Sequence, residues 1–416
     1  MNLVTVGEAS KLLNLSQDTI RRWAKKGLLQ ESRSQNNHRL FSRDDLLRVK
    51  KKYLSKTPEG KYKILKSRKT KHTVIELFSG AGGLALGLEN AGFNTKLLLD
   101  VDKDTVKTLK KNRPKWNVIE DDIKNVSFKK YKGKIDVVAG GFPCQAFSYA
   151  GLSKGFTDTR GTLFFDFARC VDEVKPKIVL GENVRGLLKH DEGRTLQTMV
   201  RVLEDLGYKT RFKYARAQFM DVPQKRERLF IIGIRKDQKF SHLFPVEKDY
   251  TISLRDALDK CPPSNKPKYS ENKKRIMKMV PEGGYWRDLP IKDQKEFMGR
   301  SFYLGGGKTG MARRLSWSEP SLTLTCSPAQ KQTERCHPSK TRPLAIREYA
   351  RIQTFPDSWE FLGSETSQYK QIGNAVPVNL GYYIGRTLIS MLSGKPDRNV
   401  KLQLLTNEES RQLKLF

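Results

Sequence analysis

Thr73-Val74-Ile75-Glu76-Leu77-Phe78-Ser79-Gly80-Ala81-Gly82-Gly83-Leu84 is the stretch that decides the fold. Its first five residues read as a buried strand, its glycines as a tight turn, and the residues on to Asn90 as a helix. Such a turn lets backbone N–H groups at a helix start approach an anionic group. Downstream, Lys96–Asp100, Ile135–Gly140, Lys177–Leu180 and Arg228–Gly233 read as further strands, with amphipathic segments between. Strands alternating with helices predict an α/β fold whose mostly parallel sheet is covered on both faces. Asp100 lies twenty positions after Gly80, at the end of the next strand, where a carboxylate can accept both hydroxyls of a ribose. The glycine spacing is not the dinucleotide G-x-G-x-x-G. An adenosine-containing ligand is therefore expected rather than a nicotinamide cofactor.

Composition narrows the partners. The 416 residues suggest two or three domains. Lys and Arg number 79 against 45 Asp and Glu, a formal charge of +34. That excess disfavours a metabolic enzyme of small neutral substrates and favours a polyanion, nucleic acid first. No stretch approaches the roughly 20 apolar residues of a membrane-spanning helix. The first residues lack the basic and apolar regions of a signal peptide. The five cysteines, 144, 170, 261, 326 and 336, suit neither a disulfide framework nor a Cys-x-x-Cys zinc site. A reducing cytoplasm and free thiols are expected. Cys326, Cys336 and His337 lack a fourth ligand, so no metal is expected. Gly307-Lys308-Thr309 imitates the end of a P-loop without its strand or first glycine.

Before the α/β region stands a short polar segment. Val6–Leu13 has helical spacing, Ser16 can cap a second helix to about Lys26, and Gly27 stops it. Ser32–Phe41 has the turn chemistry of a hairpin with a basic tip, and a helix with an acidic start follows from Asp44. The Val6–Leu13, Thr19–Leu29 and Asn36–Leu46 stretches resemble the winged helix-turn-helix of the MerR and excisionase families. A small helical domain for protein contacts is the alternative. The resemblance implies DNA contacts from Arg21, Arg22 and Lys25 on the second helix and Arg39 on the hairpin. From Lys50 to Lys71 there are ten Lys or Arg and one acid, which reads as a solvated basic linker.

Four further segments carry chemistry. Gly140-Gly141-Phe142-Pro143-Cys144-Gln145 follows a buried strand, which sets Cys144 at the carboxyl edge of the sheet, where ligands bind. Only about 3 % of an unperturbed thiol is thiolate at pH 7, so a working Cys144 needs activation. Gly181-Glu182-Asn183-Val184 ends another strand; Glu182 reads either as a helix cap or as an acid within reach of Cys144. In Gln224-Lys225-Arg226-Glu227-Arg228, strand alternation would put Gln224, Arg226 and Arg228 on one face, although a surface charge run is the commoner explanation. Gln371–Pro377 reads as a tight loop opening a C-terminal helix.

Taken in order, these motifs resemble the bacterial cytosine-C5 DNA methyltransferases of restriction–modification systems, from about Thr73 to Leu388. The resemblance implies an S-adenosylmethionine-dependent Rossmann-like sheet with an inserted target-recognition domain. It implies that Phe78, Gly80, Gly82, Gly83, Asp100, Asp122, Ile123, Leu163 and Asn374 bind the methyl donor, S-adenosyl-L-methionine. It assigns Cys144 as nucleophile, Glu182 to N3 and the exocyclic amine of cytosine, Arg228 to O2, and Arg226 to the support of that pocket. Arg160–Phe164 and Arg347–Arg351 match further family segments, and Thr323-Leu324 resembles the element that contacts the flipped nucleotide's backbone. Ser79 stands where the family often has Ala, and Asp100 where it more often has Glu.

The implied organisation is a winged unit at 1–55, a linker at 56–72, catalytic segments at 73–235 and 343–395, a target-recognition domain at 236–342 and a tail at 396–416. Expected partners are double-stranded DNA and, functionally, a cognate restriction endonuclease, with the chain a monomer associated with the nucleoid. An RNA cytosine-C5 methyltransferase, or a DNA-binding regulator with an inert methyltransferase body, are the competing functions.

Overall fold

The computed structural model describes residues 3–13, 15, 17–25, 27–34, 37–53, 62–143, 163–304 and 308–406, with the side chains of residues 25 and 50–53 left aside. Ser16, Cys144, the 160–162 part of the Arg160–Phe164 segment, Gly307, the middle of the basic linker and the side chain of Lys25 lie outside the described residues.

The winged unit comprises β1 (Leu3–Thr5), α1 (Val6–Leu13), α2 (Gln17–Lys25), β2 (Glu31–Arg33), β3 (Arg39–Ser42) and α3 (Arg43–Tyr53). A reciprocal cap starts α1: the Thr5 backbone N–H donates to Glu8 Oε2 at 2.8 Å, and the Glu8 N–H to Thr5 Oγ1 at 3.3 Å. β2 and β3 form the expected hairpin, and β1 adds a third antiparallel strand in the order β1-β3-β2. Ala9, Leu13, Ile20, Leu29, Phe41, Leu46 and Val49 make its own small core.

The larger body follows the alternation seen in the sequence. Its elements are β4 (Thr73–Leu77), α4 (Gly83–Ala91), β5 (Asn94–Asp100), α5 (Lys103–Asn112), β6 (Val118–Glu120), β7 (Val137–Gly140), α6 (Leu163–Val174), β8 (Ile178–Val184), α7 (Arg194–Asp205), β9 (Tyr208–Arg216), β10 (Gln224–Lys225) and β11 (Glu227–Arg235). Seven of these strands form one sheet in the order β6-β5-β4-β7-β8-β11-β9. The first five run parallel; β11 and β9 are antiparallel additions at one edge. One face packs Val74, Val137, Ile178 and Ile232 against α4 and a C-terminal helix, and the other packs Ile75, Val138, Val179 and Ile231 against α6 and α7. Apolar side chains on both faces explain why these strands read as continuous apolar runs.

The chain then adds β12 (Leu243–Pro245), α8 (Leu254–Leu258), α9 (Glu271–Met279), α10 (Ile291–Met298) and β13 (Ser321–Leu322), and finally α11 (Ile346–Ile352), α12 (Glu365–Asn374), α13 (Val378–Ser393) and β14 (Leu402–Leu404). Ile276, Met277, Trp286, Leu289, Met298 and Cys336 form a separate core for the insert.

Three boundaries differ from the sequence reading. Phe244, Leu254 and Leu258 pack into the body rather than into the insert. Val400 and Leu405, read as tail, are buried in the body's core, and β14 pairs antiparallel with β12. The C-terminal part of the basic linker is also held. Tyr62 donates its hydroxyl to the Arg351 carbonyl at 2.8 Å, and Asn379 Oδ1 accepts the Leu65 N–H at 3.0 Å. No helix among the described residues is long and apolar enough to cross a membrane.

Candidate active site

Register gathers the functional segments. Leu77 pairs with Leu99 and Gly140, Gly140 with Gly181, and Val184 with Arg228. The glycine turn, Asp100, Gly141–Pro143, Glu182 and the start of β11 therefore share the carboxyl edge of the parallel strands. Open α/β sheets bind ligands at this edge.

The glycine turn is shaped by backbone that L side chains rarely adopt. Phe78, Gly80 and Gly82 all have positive φ, at 57°, 50° and 81°. Gly83 opens α4 so close to the C-terminal segment that a Cβ would lie 2.1 Å from the Val376 carbonyl oxygen. Asp100 ties the turn to the start of α5: Oδ2 accepts the Gly80 N–H at 2.8 Å and Oδ1 the N–H of Asp102, which caps that helix, at 2.9 Å. Burial raises the Asp100 pKa, against the pull of these N–H groups. Asp122 accepts the Lys124 N–H at 3.0 Å, and Ile123 is buried beside it.

Glu76 was passed over in the sequence reading. It sits in β4, 2 % exposed, with Oε2 lacking a hydrogen-bond partner among the described residues. Burial pushes its pKa well up, and the neighbouring Asp100 and Glu182 carboxyls push it further. An acid inside the apolar run Thr73–Leu77 was the available signal. A buried carboxyl with an unmet acceptor beside a glycine turn suits a ligand that brings its own cationic group.

A second cluster surrounds Glu182. Arg228 Nε lies 3.0 Å from Glu182 Oε1. Burial raises the Glu182 pKa, while Arg228 and Arg226 oppose the rise. Glu182 lies inside β8 and caps no helix, because Val184 precedes the next helical turn. Asn183 donates its side-chain amide to the Phe142 carbonyl at 2.9 Å, tying the strand of Glu182 to the segment that runs into Pro143 and Cys144.

Arg226 is more deeply buried than Arg228. It is 1 % exposed; its guanidinium donates to the carbonyls of Leu324 at 3.2 Å, Gly373 at 3.0 Å and Asn374 at 3.3 Å. It is a cross-tie among three distant segments. Gln224 works beside it, donating to Gln353 Oε1 and accepting the Leu324 N–H. Thr323 donates its hydroxyl to the Lys225 carbonyl at 2.7 Å, and Leu324 is buried. Asn374 ends α12 instead of opening a helix, and its Oδ1 accepts from Cys326 Sγ at 3.1 Å. Leu163 begins α6, half-buried.

Residues 72–390 match the family of C-5 cytosine-specific DNA methylases. The chain belongs to that family. Residues 5–41 match the MerR family of regulatory proteins. The methylase is 52 % identical over 403 residues to the type II methyltransferase M.Eco47II of Escherichia coli, covering 93 % of this chain and 95 % of that protein. It is 34 % identical over 332 residues to M.HhaI of Haemophilus parahaemolyticus, covering 77 % of this chain and 95 % of that one. Among solved structures it resembles a prophage-encoded DNA modification methyltransferase of E. coli (25 % identity, TM-score 0.57, 78 % of this chain and all of that one). The Dnmt2 methyltransferase of S. pombe shares the fold (18 % identity, TM-score 0.52, 77 % and 99 %).

The methylase is thus an S-adenosylmethionine-dependent enzyme acting on DNA. The observed edge fits that donor. Unmet Glu76 Oε2 suits an ammonium group.

Proposed function

We propose that the methylase is the modification enzyme of a type II restriction–modification system, methylating C5 of a cytosine extruded from a specific duplex. The observation that carries the reading is the convergence of Glu182, Arg228 and the stem of the Cys144 loop at one sheet edge. Close relatives named as type II methyltransferases support the system-level part.

When bound, S-adenosylmethionine supplies a methyl group activated by a sulfonium. The chain's own residues do the rest. The Cys144 thiolate adds to C6 of the ring, forming an S–C6 bond and moving electron density to C5. Glu182, its pKa raised by burial, is suited to hold a proton at N3 as that density develops. Arg228, fixed through Nε by Glu182 and through Nη1 by the Glu227 carbonyl, keeps Nη2 for the O2 oxygen. After methyl transfer, loss of the C5 proton returns the electron pair that expels Cys144 Sγ. Arg226 keeps the strands in register, and Thr323-Leu324 lie beside it toward the duplex. Extruding the base costs a few kcal/mol, on the order expected for base flipping.

In this proposal Phe78, Gly80, Gly82, Gly83, Asp100, Asp122, Ile123, Leu163 and Asn374 frame the donor, with Glu76 added to them. The enzyme acts as a monomer at the nucleoid and is paired functionally with a cognate endonuclease. A duplex carrying 5-fluorocytosine at the target, given with the donor, tests the chemistry. Because fluorine cannot leave as a proton does, a covalent adduct at residue 144 is expected; an unlabelled Cys144 would overturn the assignment.

A further inference from the structure

The winged unit does not stand apart from the body. Thr19, on the helix that resembles a DNA-reading helix, is 3 % exposed, and its hydroxyl lies 3.4 Å from Glu319 Oε2. Leu15, Arg22, Trp23 and Leu28 close one side of a cavity of about 410 Å³ whose other side includes Phe219, Lys225, Arg226, Glu319 and Pro320. Thr19, Arg22 and Trp23 fall at i, i+3 and i+4, one face of α2, and Leu15 lies ahead of that helix in the chain. The face of α2 is therefore spent on the body.

What it covers is the rim of the substrate site. Lys225 immediately precedes Arg226, pairs across to Leu322 and accepts the Thr323 hydroxyl on its carbonyl. A duplex that delivers a cytosine to Glu182 and Arg228 must cross this rim. The rim's cations are also occupied: Lys225 by Glu319, Arg185 by Glu227 and Arg216 by Glu247. These three pairs lie within the body and neutralise the rim whether or not α2 is docked, so what keeps DNA from the docked form is the space that α2 occupies. Arg22 adds a field that depresses the pKa of Lys225, whose main cause is burial.

We infer that the rim of the catalytic cleft is a docking surface for the chain's own winged unit, and that docked α2 and substrate DNA exclude one another. The enzyme then exists as closed and open forms, and DNA binds only the open one. The inference rests on the cleft being where duplex DNA enters. Its consequence is kinetic: the apparent affinity for a duplex is reduced by the fraction of molecules that are closed.

The full chain carrying both Thr19→Cys and Glu319→Cys tests this. A short bis-maleimide with a reducible disulfide spacer, which bridges the length of the replaced Glu319 side chain, should link the two, visible as a shift in non-reducing electrophoresis. Binding of a fluorescein-labelled duplex, read by anisotropy, should weaken at least tenfold and recover on reduction with dithiothreitol. Anisotropy needs no active Cys144, and the untreated and treated parent chain control for other thiols. A chain with Thr19→Glu, which sets two carboxylates against each other, should show a several-fold lower KM for duplex DNA at unchanged kcat. A failure of the link to form, or a linked chain that binds duplex as well as the reduced one, would overturn the inference. Methyl transfer by the reduced variant reports separately on the proposed function.

Discussion

Arg228 Nε stands 3.0 Å from Glu182 Oε1, and yet the Glu182 carboxyl keeps a pKa above its ordinary value. Burial outweighs the guanidinium. The pair thus combines a fixed cation with an acid that holds its proton further toward neutrality than an exposed glutamate. If Glu182 works in its protonated form, kcat/KM should fall as pH rises through its raised pKa. Glu182→Gln should remove that limb and lower methyl transfer by roughly 10²–10⁴-fold, the range of general acid catalysis. A variant that keeps the wild-type pH profile would place the titration elsewhere.

Glu76 predicts an opposition between stability and function. Its folded-state pKa is raised, so the stability tied to its proton is complete below the unfolded pKa and is lost as pH rises through the folded one. Glu76→Gln carries no such loss. Thermal unfolding should show little difference from the parent at acid pH and a growing advantage for the variant toward neutral and alkaline pH. Calorimetry should meanwhile show weaker binding of S-adenosylmethionine, because glutamine cannot give up a proton to pair with a cationic donor as Glu76 can. Stabilisation with unchanged donor affinity would make Glu76 a structural acid.

Gly83 is argued from space. A Cβ there would stand 2.1 Å from a backbone oxygen, and backbone cannot swing aside as a side-chain tip can. Gly83→Ala should force α4 away from Val376, costing about 1–3 kcal/mol as overpacking does. Donor affinity should fall more than this loss implies, since the same shift moves the turn held by Asp100. Equilibrium unfolding and donor titration on one preparation separate the two effects.

Legibility in the sequence followed the range of the interaction. β4, β5, β7 and the glycine turn carry local signals, so the sheet and its edge could be read directly. Glu182 reads as a strand end but lies inside β8, because Glu and Asn are poor strand formers and hide the last residues of that strand's pattern. The role of Arg226 was not legible: its three acceptors lie between 98 and 148 positions away. The contact of Thr19 with Glu319 spans 300 positions, and no local pattern encodes it. Short strands such as β1 and β14 exist only through their partners, for three residues without a neighbour have no stability of their own.

The C-terminal segment turns that last point into a measurement. Residues 396–416 read as a tail because their composition is polar and no periodicity runs through them. Within them Val400 and Leu405 are nevertheless buried at 2 % and 5 % exposure, and β14 supplies the only described partner of β12, which brings Phe244 into the same core. Burying two such side chains is worth about 3–5 kcal/mol by area. A chain ending at Asn399 should therefore unfold roughly 10 °C lower, taking about 2–4 °C per kcal/mol for a large domain. Leu405→Asp in the full chain should show a substantial part of the same drop while keeping every backbone pairing residue. If the Asn399 truncation unfolded at the parent temperature, the segment would be a tail after all, and the burial of Val400 and Leu405 would carry no weight in the stability of the body.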